Sequence, residues 1–390
     1  MSILRVQKIR HTASNTDVID IANDGSCRAN IVNNLSNKNL ILNGAFLIAQ
    51  RGSSSTSSGY YTVDRFSQIH SDTDEAPTQS QVDVASGTTP YTLGFRKAFK
   101  ITNGNQTSVG SDDYIWIQTK LESQALANCG WNYKSASSFL TLSFWVKSSV
   151  PQDFKGYLRS RDGTQMMYPF ATGSLTADTW TKITKTIPGN SSLQFDNDVN
   201  EGLQLNIGCF WGTGLSSNST SEDSWATWNS AARTPDLTST WYEADNATFE
   251  ITGVQLEVNS VATDFEHRSY HDELLRCMRY TQKIDTGNNT YRYVGQGNVD
   301  NDGDNNALLI NFKLPFRDSP SAMTTTGSAS DYAVRRDTTK TCTSVPTFYS
   351  ASPYYCGVTF SSTSHGWSTG QAVFGFLKSS GSYLIFEAEL

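Results

Sequence analysis

The sequence predicts a mainly β protein: an N-terminal β hairpin or shaft segment, a central antiparallel jelly-roll sandwich, one linking helix and a small C-terminal β domain. Three observations predict it. Apolar and polar residues alternate over several runs, turn clusters rich in Ser, Thr, Asn and Gly separate those runs, and a single stretch has convincing helical spacing. At 390 residues the chain is also too long for one typical core, so two or three domains are expected.

Residues 1–38 stand apart. Ile3-Leu-Arg-Val6 alternates, and Asp17-Val-Ile-Asp-Ile21 is a second apolar strand, closed by Asn23-Asp-Gly25 and followed by Cys27-Arg-Ala-Asn-Ile31. Asp-Gly between such runs is a hairpin signal. So short a segment buries too little surface alone, so it is expected to pair with copies of itself or dock elsewhere.

The sandwich is expected over 39–266. Ser138 to Lys147 puts Leu140, Leu142, Phe144 and Val146 on one face, the period of a half-buried strand. Phe95, Phe99 and Ile101 share a phase in the run from Leu93. Phe249 and Ile251 share another, which slips by one residue at Gly253 before Val254, Leu256 and Val258 continue. A glycine at such a slip reads as a β-bulge. Turns fall at Gly52-Ser-Ser-Ser, Asn103-Gly-Asn and Pro188-Gly-Asn.

The linking helix is expected within 267–283. Tyr270, Leu274 and Met278 align at helical spacing, Ser269 suits the N-cap, and Asp272 and Glu273 suit the first turn. Residues 284–390 return to β pattern, with Ala307-Leu-Leu-Ile-Asn-Phe-Lys-Leu314 and a last strand in Ser382-Tyr-Leu-Ile-Phe-Glu-Ala-Glu-Leu390.

Composition narrows the function. Charged residues are 17 % and the net charge is −7. With no basic cluster to release counterions from phosphates, nucleic acid and anionic membrane are not expected partners. The first residues lack a continuous apolar leader and no run reaches membrane-helix length, so synthesis in the cytoplasm is expected. The six cysteines show no CxxC pair and are read as free thiols, with Cys342–Cys356 as the one pairing to consider.

Three segments together carry a resemblance. Asn39-Leu-Ile-Leu-Asn-Gly-Ala-Phe-Leu-Ile-Ala-Gln-Arg-Gly52 with Gly59-Tyr-Tyr-Thr-Val-Asp-Arg-Phe66 resembles the entry of the carbohydrate-binding-module-like jelly roll of bacteriophage tail fibres and receptor-binding proteins. Phe249-Glu-Ile-Thr-Gly-Val-Gln-Leu-Glu257, Ala262-Thr-Asp-Phe-Glu-His-Arg-Ser-Tyr270 and Glu273-Leu-Leu-Arg-Cys-Met-Arg-Tyr280 resemble its exit and helix. Phe312-Lys-Leu-Pro-Phe-Arg-Asp-Ser-Pro320 with Glu387-Ala-Glu-Leu390 resembles the small C-terminal domain. Phe66 and Phe316 depart from the pattern, standing where Trp and Met are common. The resemblance implies a homotrimeric virion component whose N-terminus attaches to tail, nozzle or adaptor proteins. It also implies an outermost C-terminal domain, 284–390, as the receptor-binding tip, taking a host-surface glycan or protein.

No catalytic constellation emerges, so the expectation is attachment without catalysis. The alternatives are a polysaccharide-degrading tailspike, for which Asp72, Asp74, Asp112 and Asp113 are the available acids, and a purely structural tail adaptor. His267 and His271 have zinc spacing without an acid between them and are read as structural. No cofactor is expected. A structural calcium has weak candidates in Asp300, Asp302 and Asp304, and, by analogy with carbohydrate modules, in Glu243-Ala-Asp-Asn246. Flat rings stack on sugar C–H faces, so the candidate glycan or receptor contacts are Trp225 and Trp228 in a polar loop and Tyr354, Tyr355 and Trp367 in the C-terminal domain.

Overall fold

The computed structural model describes residues 8–10, 17–21, 27–29, 37–300, 305–363 and 366–390. At the N-terminus β1 (Lys8–Arg10), β2 (Asp17–Ile21) and β3 (Cys27–Ala29) pair antiparallel in chain order. The β2–β3 pairing is the expected hairpin. Its Asn23-Asp-Gly25 turn and the Ile3-Leu-Arg-Val6 run lie outside the described residues.

The next strands build two sheets. They are β4 (Ser54–Ser55), β5 (Phe66–Ser71), β6 (Thr78–Asp83), β7 (Lys97–Thr102), β8 (Tyr114–Glu122) and β9 (Phe139–Ser148), then β10 (Asp153–Ser160), β11 (Met166–Ser174), β12 (Thr181–Pro188), β13 (Glu201–Trp211), β14 (Ala226–Thr227) and β15 (Thr248–Val258). One six-stranded sheet runs β14-β11-β10-β13-β8-β5 and the other β12-β9-β15-β7-β6-β4. Both are antiparallel, and their inner faces share one core.

Leu140, Leu142, Phe144 and Val146 of β9 all enter that core, as the alternation predicts, beside Phe99, Ile117, Phe154, Leu205 and Phe249. Each such side chain contributes roughly 1.5–3 kcal/mol by leaving water. The register of β15 against β9 shifts between Thr252 and Gln255, and Gly253 has φ +64°, so the predicted bulge is present. Phe95 corrects its expected phase. It precedes β7 and packs outside the sandwich with Phe265 and His267, at ring distances of 4.9 and 5.0 Å.

The helix is shorter than expected, Tyr270–Cys277, and Ser269 caps it by accepting from the Asp272 N–H at 3.1 Å. Its buried face differs from the apolar alignment. Tyr270 is 61 % exposed, whereas Glu273 and Cys277 are buried. Glu273 goes inward because its carboxylate accepts the Asn43 N–H at 2.5 Å and faces Arg268 at 3.5 Å.

The C-terminal strands are β16 (Thr281–Asp285), β17 (Arg292–Val299), β18 (Asn305–Asn311), β19 (Ala322–Thr325) and β20 (Tyr332–Arg335), then β21 (Thr339–Thr341), β22 (Thr347–Ala351), β23 (Tyr355–Ser361), β24 (Ala372–Leu377) and β25 (Tyr383–Glu387). They form a three-stranded sheet, β16-β25-β19, and a seven-stranded sheet, β21-β20-β24-β17-β18-β23-β22, over a second core with Leu308, Ile310, Phe316, Tyr332 and Phe360. Cys342 and Cys356 sit in this core as free thiols, each pushed up to about 12 by burial.

Ion pairs close the seam between the two cores. Arg51 reaches Glu387 through Nε at 2.5 Å, Glu389 through Nη2 at 2.9 Å and Asp64 at 3.7 Å. Arg65 also pairs with Glu389 and lies 3.4 Å from the Tyr280 ring centre. Glu122 accepts from Arg279 at 2.8 and 2.9 Å and from the Tyr280 hydroxyl at 2.5 Å. The motif residues Asn39 and Asn43 satisfy backbone groups of Val254, Leu256, Ile48 and Asp64. The segments that carry the resemblance are therefore scaffold.

Candidate functional site

The outer face of the β14-β11-β10-β13-β8-β5 sheet gathers rings that inner-face packing does not use. On β8, Ile115 and Ile117 enter the core, so Tyr114, Trp116 and Gln118 point outward. Cross-strand register places Trp116 beside Ile69 and Gly208, and Gln118 beside Ser67 and Asn206. Tyr157 of β10 lies opposite Asn206, and Arg159 opposite Gln204. A register shift between Gly208 and Phe210 sends Phe210 inward and Trp211 outward. Gly208 is required there, because a Cβ would sit 2.5 Å from the Trp211 ring.

The rings form a continuous row, in which Trp116, Tyr157 and Trp211 are 8, 2 and 1 % exposed while Tyr114 and Trp228, at its two ends, are half-buried. Tyr114 and Trp116 are 4.5 Å apart, Trp116 and Trp211 6.2 Å, Trp211 and Tyr157 5.5 Å, and Tyr157 and Trp228 5.4 Å. Trp228 comes from the loop Gly212–Ser239, whose Leu215 and Leu237 pack on the same cluster. The Trp228 N–H donates to Gln165 O at 2.9 Å, and β14 pairs with β11, so the loop is anchored to the sheet.

Arginines flank the row. The Arg159 guanidinium lies 3.8 Å from the Trp228 ring centre, and Arg233 lies 5.1 Å from Trp116 and 5.8 Å from Trp228. Burial pushes the Tyr157 phenol up to about 12, against the opposing pull of Arg233 and Arg159, so it is a neutral hydroxyl at physiological pH. Several buried polar atoms here lack a protein hydrogen-bond partner: the indole N–H of Trp116 and of Trp211, Asn206 Nδ2, Ser67 Oγ and Arg233 Nη1. Orphaned donors of this kind ordinarily mark bound water or ligand, because leaving them unsatisfied costs about 1–3 kcal/mol each. Of these five rings Tyr114 and Trp228 are accessible enough to meet the C–H face of a polyhydroxylated ligand.

Among the sequence candidates, only Trp228 joins this row. Trp225 packs edge-on to Tyr168 at 5.3 Å and donates its indole N–H to Pro188 O at 2.7 Å, closing the sandwich edge. Trp367 is 8 % exposed within the C-terminal core, its N–H held by Asp337 at 3.0 Å. Tyr354 and Tyr355 are 64 % and 47 % exposed, on and beside β23 of the seven-stranded sheet. The sequence reading missed Tyr114, Trp116, Tyr157 and Trp211. Its available signal was Tyr114-Ile-Trp-Ile117, where rings alternate with core isoleucines.

Several of the acids and histidines considered for chemistry are held by hydrogen bonds within the chain. Asp74 accepts from Thr107 N–H at 2.7 Å and Ser108 N–H at 2.8 Å, and Asp113 accepts from Gly110 N–H at 2.6 Å and the Tyr242 hydroxyl at 2.9 Å. Asp112 accepts from its neighbour Ser111 at 3.4 Å. His267 donates to Leu93 O at 2.9 Å. Glu243 accepts from Ser239 at 2.6 Å. Asp300 ends the β17–β18 hairpin, whose tip residues Asp302 and Asp304 lie outside the described residues. Among the described residues no group of three or more His, Cys, Asp or Glu is placed to hold a metal, and no helix is long and apolar enough to cross a membrane.

No family model matches the chain, and no curated protein matches it in sequence. Solved structures give distant likenesses. The enzymatically active domain of tailspike protein 4 of bacteriophage CBA120 has TM-score 0.31 and 10 % identity, covering 57 % of this chain and 21 % of that one. A family 4 carbohydrate-binding module has TM-score 0.27 and 12 % identity, with 56 % and 98 % covered. The module TmCBM61 in complex with β-1,4-galactotriose has TM-score 0.26 and 8 % identity, with 57 % and 99 % covered. This chain thus spans about a fifth of the tailspike domain's length, and at these scores the likenesses are too distant to assign a role to any residue.

Proposed function

We propose that this protein is a bacteriophage tail-fibre subunit that attaches the virion to its host by binding a surface glycan, without catalysis. The carrying observation is the pair of half-buried rings, Tyr114 and Trp228, at the ends of an outer-face cluster whose buried members Trp116, Trp211 and Tyr157 back them. Rings of this kind take the C–H faces of sugars while amide and indole donors take hydroxyls. The phage assignment rests on the sequence resemblance, which brings with it a homotrimer, attachment to the tail through the N-terminal segment, and a place in the virion after synthesis in the host cytoplasm. Such binding needs no cofactor. The structural roles of Asp74 and Asp113 support a non-catalytic reading over a hydrolase.

The contact surface proposed here differs from the sequence expectation, which placed the tip at 284–390. The aromatic row shifts it to the sandwich. Labelled full-length protein is expected to bind host cells and to lose that binding after mild periodate oxidation, which cleaves sugar diols. Undiminished binding to oxidised cells would instead indicate a protein receptor.

A further inference from the structure

The aromatic face carries positive charge that the chain does not neutralise. Arg161 pairs with Glu201 at 3.0 Å, and Lys120 reaches Glu201 at 3.2 Å and Leu390 O at 2.7 Å. Arg159 and Arg233 have no such partner among the described residues. Arg159 donates from Nε to the neutral Gln165 Oε1 at 3.1 Å, Arg233 donates from Nε to Ser230 O at 3.1 Å, and Arg233 Nη1 is buried with no acceptor. Both guanidinium groups lie within 6 Å of the Trp228 ring centre, at 3.8 and 5.8 Å. Burial and then repulsion from Arg161 push the Arg159 guanidinium down to about 10, with Arg233 adding to the repulsion.

In a chain of net charge −7, two uncompensated arginines on one face do not follow from composition. Partly buried cations are ordinarily paired, and a planar guanidinium is matched by a carboxylate, which it can hold through two parallel bonds. A neutral sugar would leave that capacity unused. A free inorganic anion would not use the Trp228 ring beside the arginines.

We infer that this face selects an acidic glycan: a sugar carboxylate pairs with Arg159 and Arg233 while the sugar ring lies on Trp228. The inference rests on the glycan reading of the same face and adds the ligand's charge class. It makes Arg159 and Arg233 the residues that decide specificity, and the half-buried Trp228 the one that meets sugar rings of either class.

The test is a glycan array of matched pairs differing only in the carboxylate: polygalacturonate oligomers against their carboxyl-reduced products, and sialyllactose against lactose. The full-length protein is expected to bind the acidic member of at least one pair about tenfold more tightly, an advantage that shrinks as salt rises. Arg233→Gln is expected to abolish the preference while binding to the neutral member persists, its fold checked by its melting profile. Equal binding of both members, or a preference that survives in a folded Arg233→Gln protein, would overturn the inference and leave the glycan reading standing. Silence of both members of every pair, from a protein that binds host cells, would overturn the glycan reading and this inference with it.

Discussion

Arg159 lays its guanidinium 3.8 Å from the centre of the Trp228 indole and so ties β10 to the Gly212–Ser239 loop. A cation over a ring contributes about 0.5–2 kcal/mol, and here both members also belong to the proposed binding face. Replacing Arg159 by Ala is expected to speed amide exchange across the loop while the global melting transition moves by no more than about 1 kcal/mol. Amide exchange measured by mass spectrometry checks this, and unchanged loop protection would show that the pair does not hold the loop.

The seam makes a stronger demand. Glu389 has a side chain 9 % exposed and pairs with both Arg51 and Arg65. Removing one charge from such a buried network strands the others, typically at about 3–5 kcal/mol. Glu389→Gln is therefore expected to lower stability by roughly that amount in denaturant titration. A loss below about 1 kcal/mol would show that the seam adds little to the fold.

Acid is expected to act at the same place. Burial pushes the Glu389 carboxyl up, but Arg65 and Arg51 outweigh it and hold it below the usual glutamate value. Glu122 behaves alike, with burial opposed by hydrogen bonds from Arg279 and Tyr280. A carboxyl depressed by folding contributes stability that is full above its unfolded pKa, about 4.3, and is lost as pH falls through the folded value. Asp64 runs the other way: burial raises it despite Arg51, so its ionisation costs stability that returns as pH falls. Melting temperature is expected to fall below about pH 4.3, less steeply in Glu389→Gln. A flat profile through that range would contradict the assigned pairings.

Gly253 offers a local test of the bulge. Its φ is +64° and an added Cβ would lie 2.6 Å from the Phe95 ring. Gly253→Ala should cost roughly 1–3 kcal/mol by thermal or chemical melting. An unchanged midpoint would mean that β15 can pair with β9 without the left-handed residue.

The bulge was legible because a period of two admits only one phase per face, so a slip at a glycine is visible in β15. The alternation of β9 was legible for the same reason. The inward side of the helix was not, because Glu273 is buried by Asn43 and Arg268, and nothing in the local spacing of the helix points to Asn43, some 230 residues earlier. The site divided likewise. Trp228 was identifiable as a large ring in a polar loop, but Trp225 fitted the same description and proved to be an anchor. Nothing in the local sequence marks Trp211 or Tyr157, and only the pairing of β13 with β8 and β10 brings them into one cluster behind Trp228.

The most direct test of the proposed glycan-binding face compares two full-length variants by titration on host cells: Trp228→Ala, and the double replacement Tyr354→Ala with Tyr355→Ala. Trp228→Ala is expected to weaken binding at least about tenfold without loss of fold, and the double variant to bind like the wild type. Full binding by Trp228→Ala together with loss in the tyrosine variant would contradict the account and move the receptor site to the C-terminal sheet.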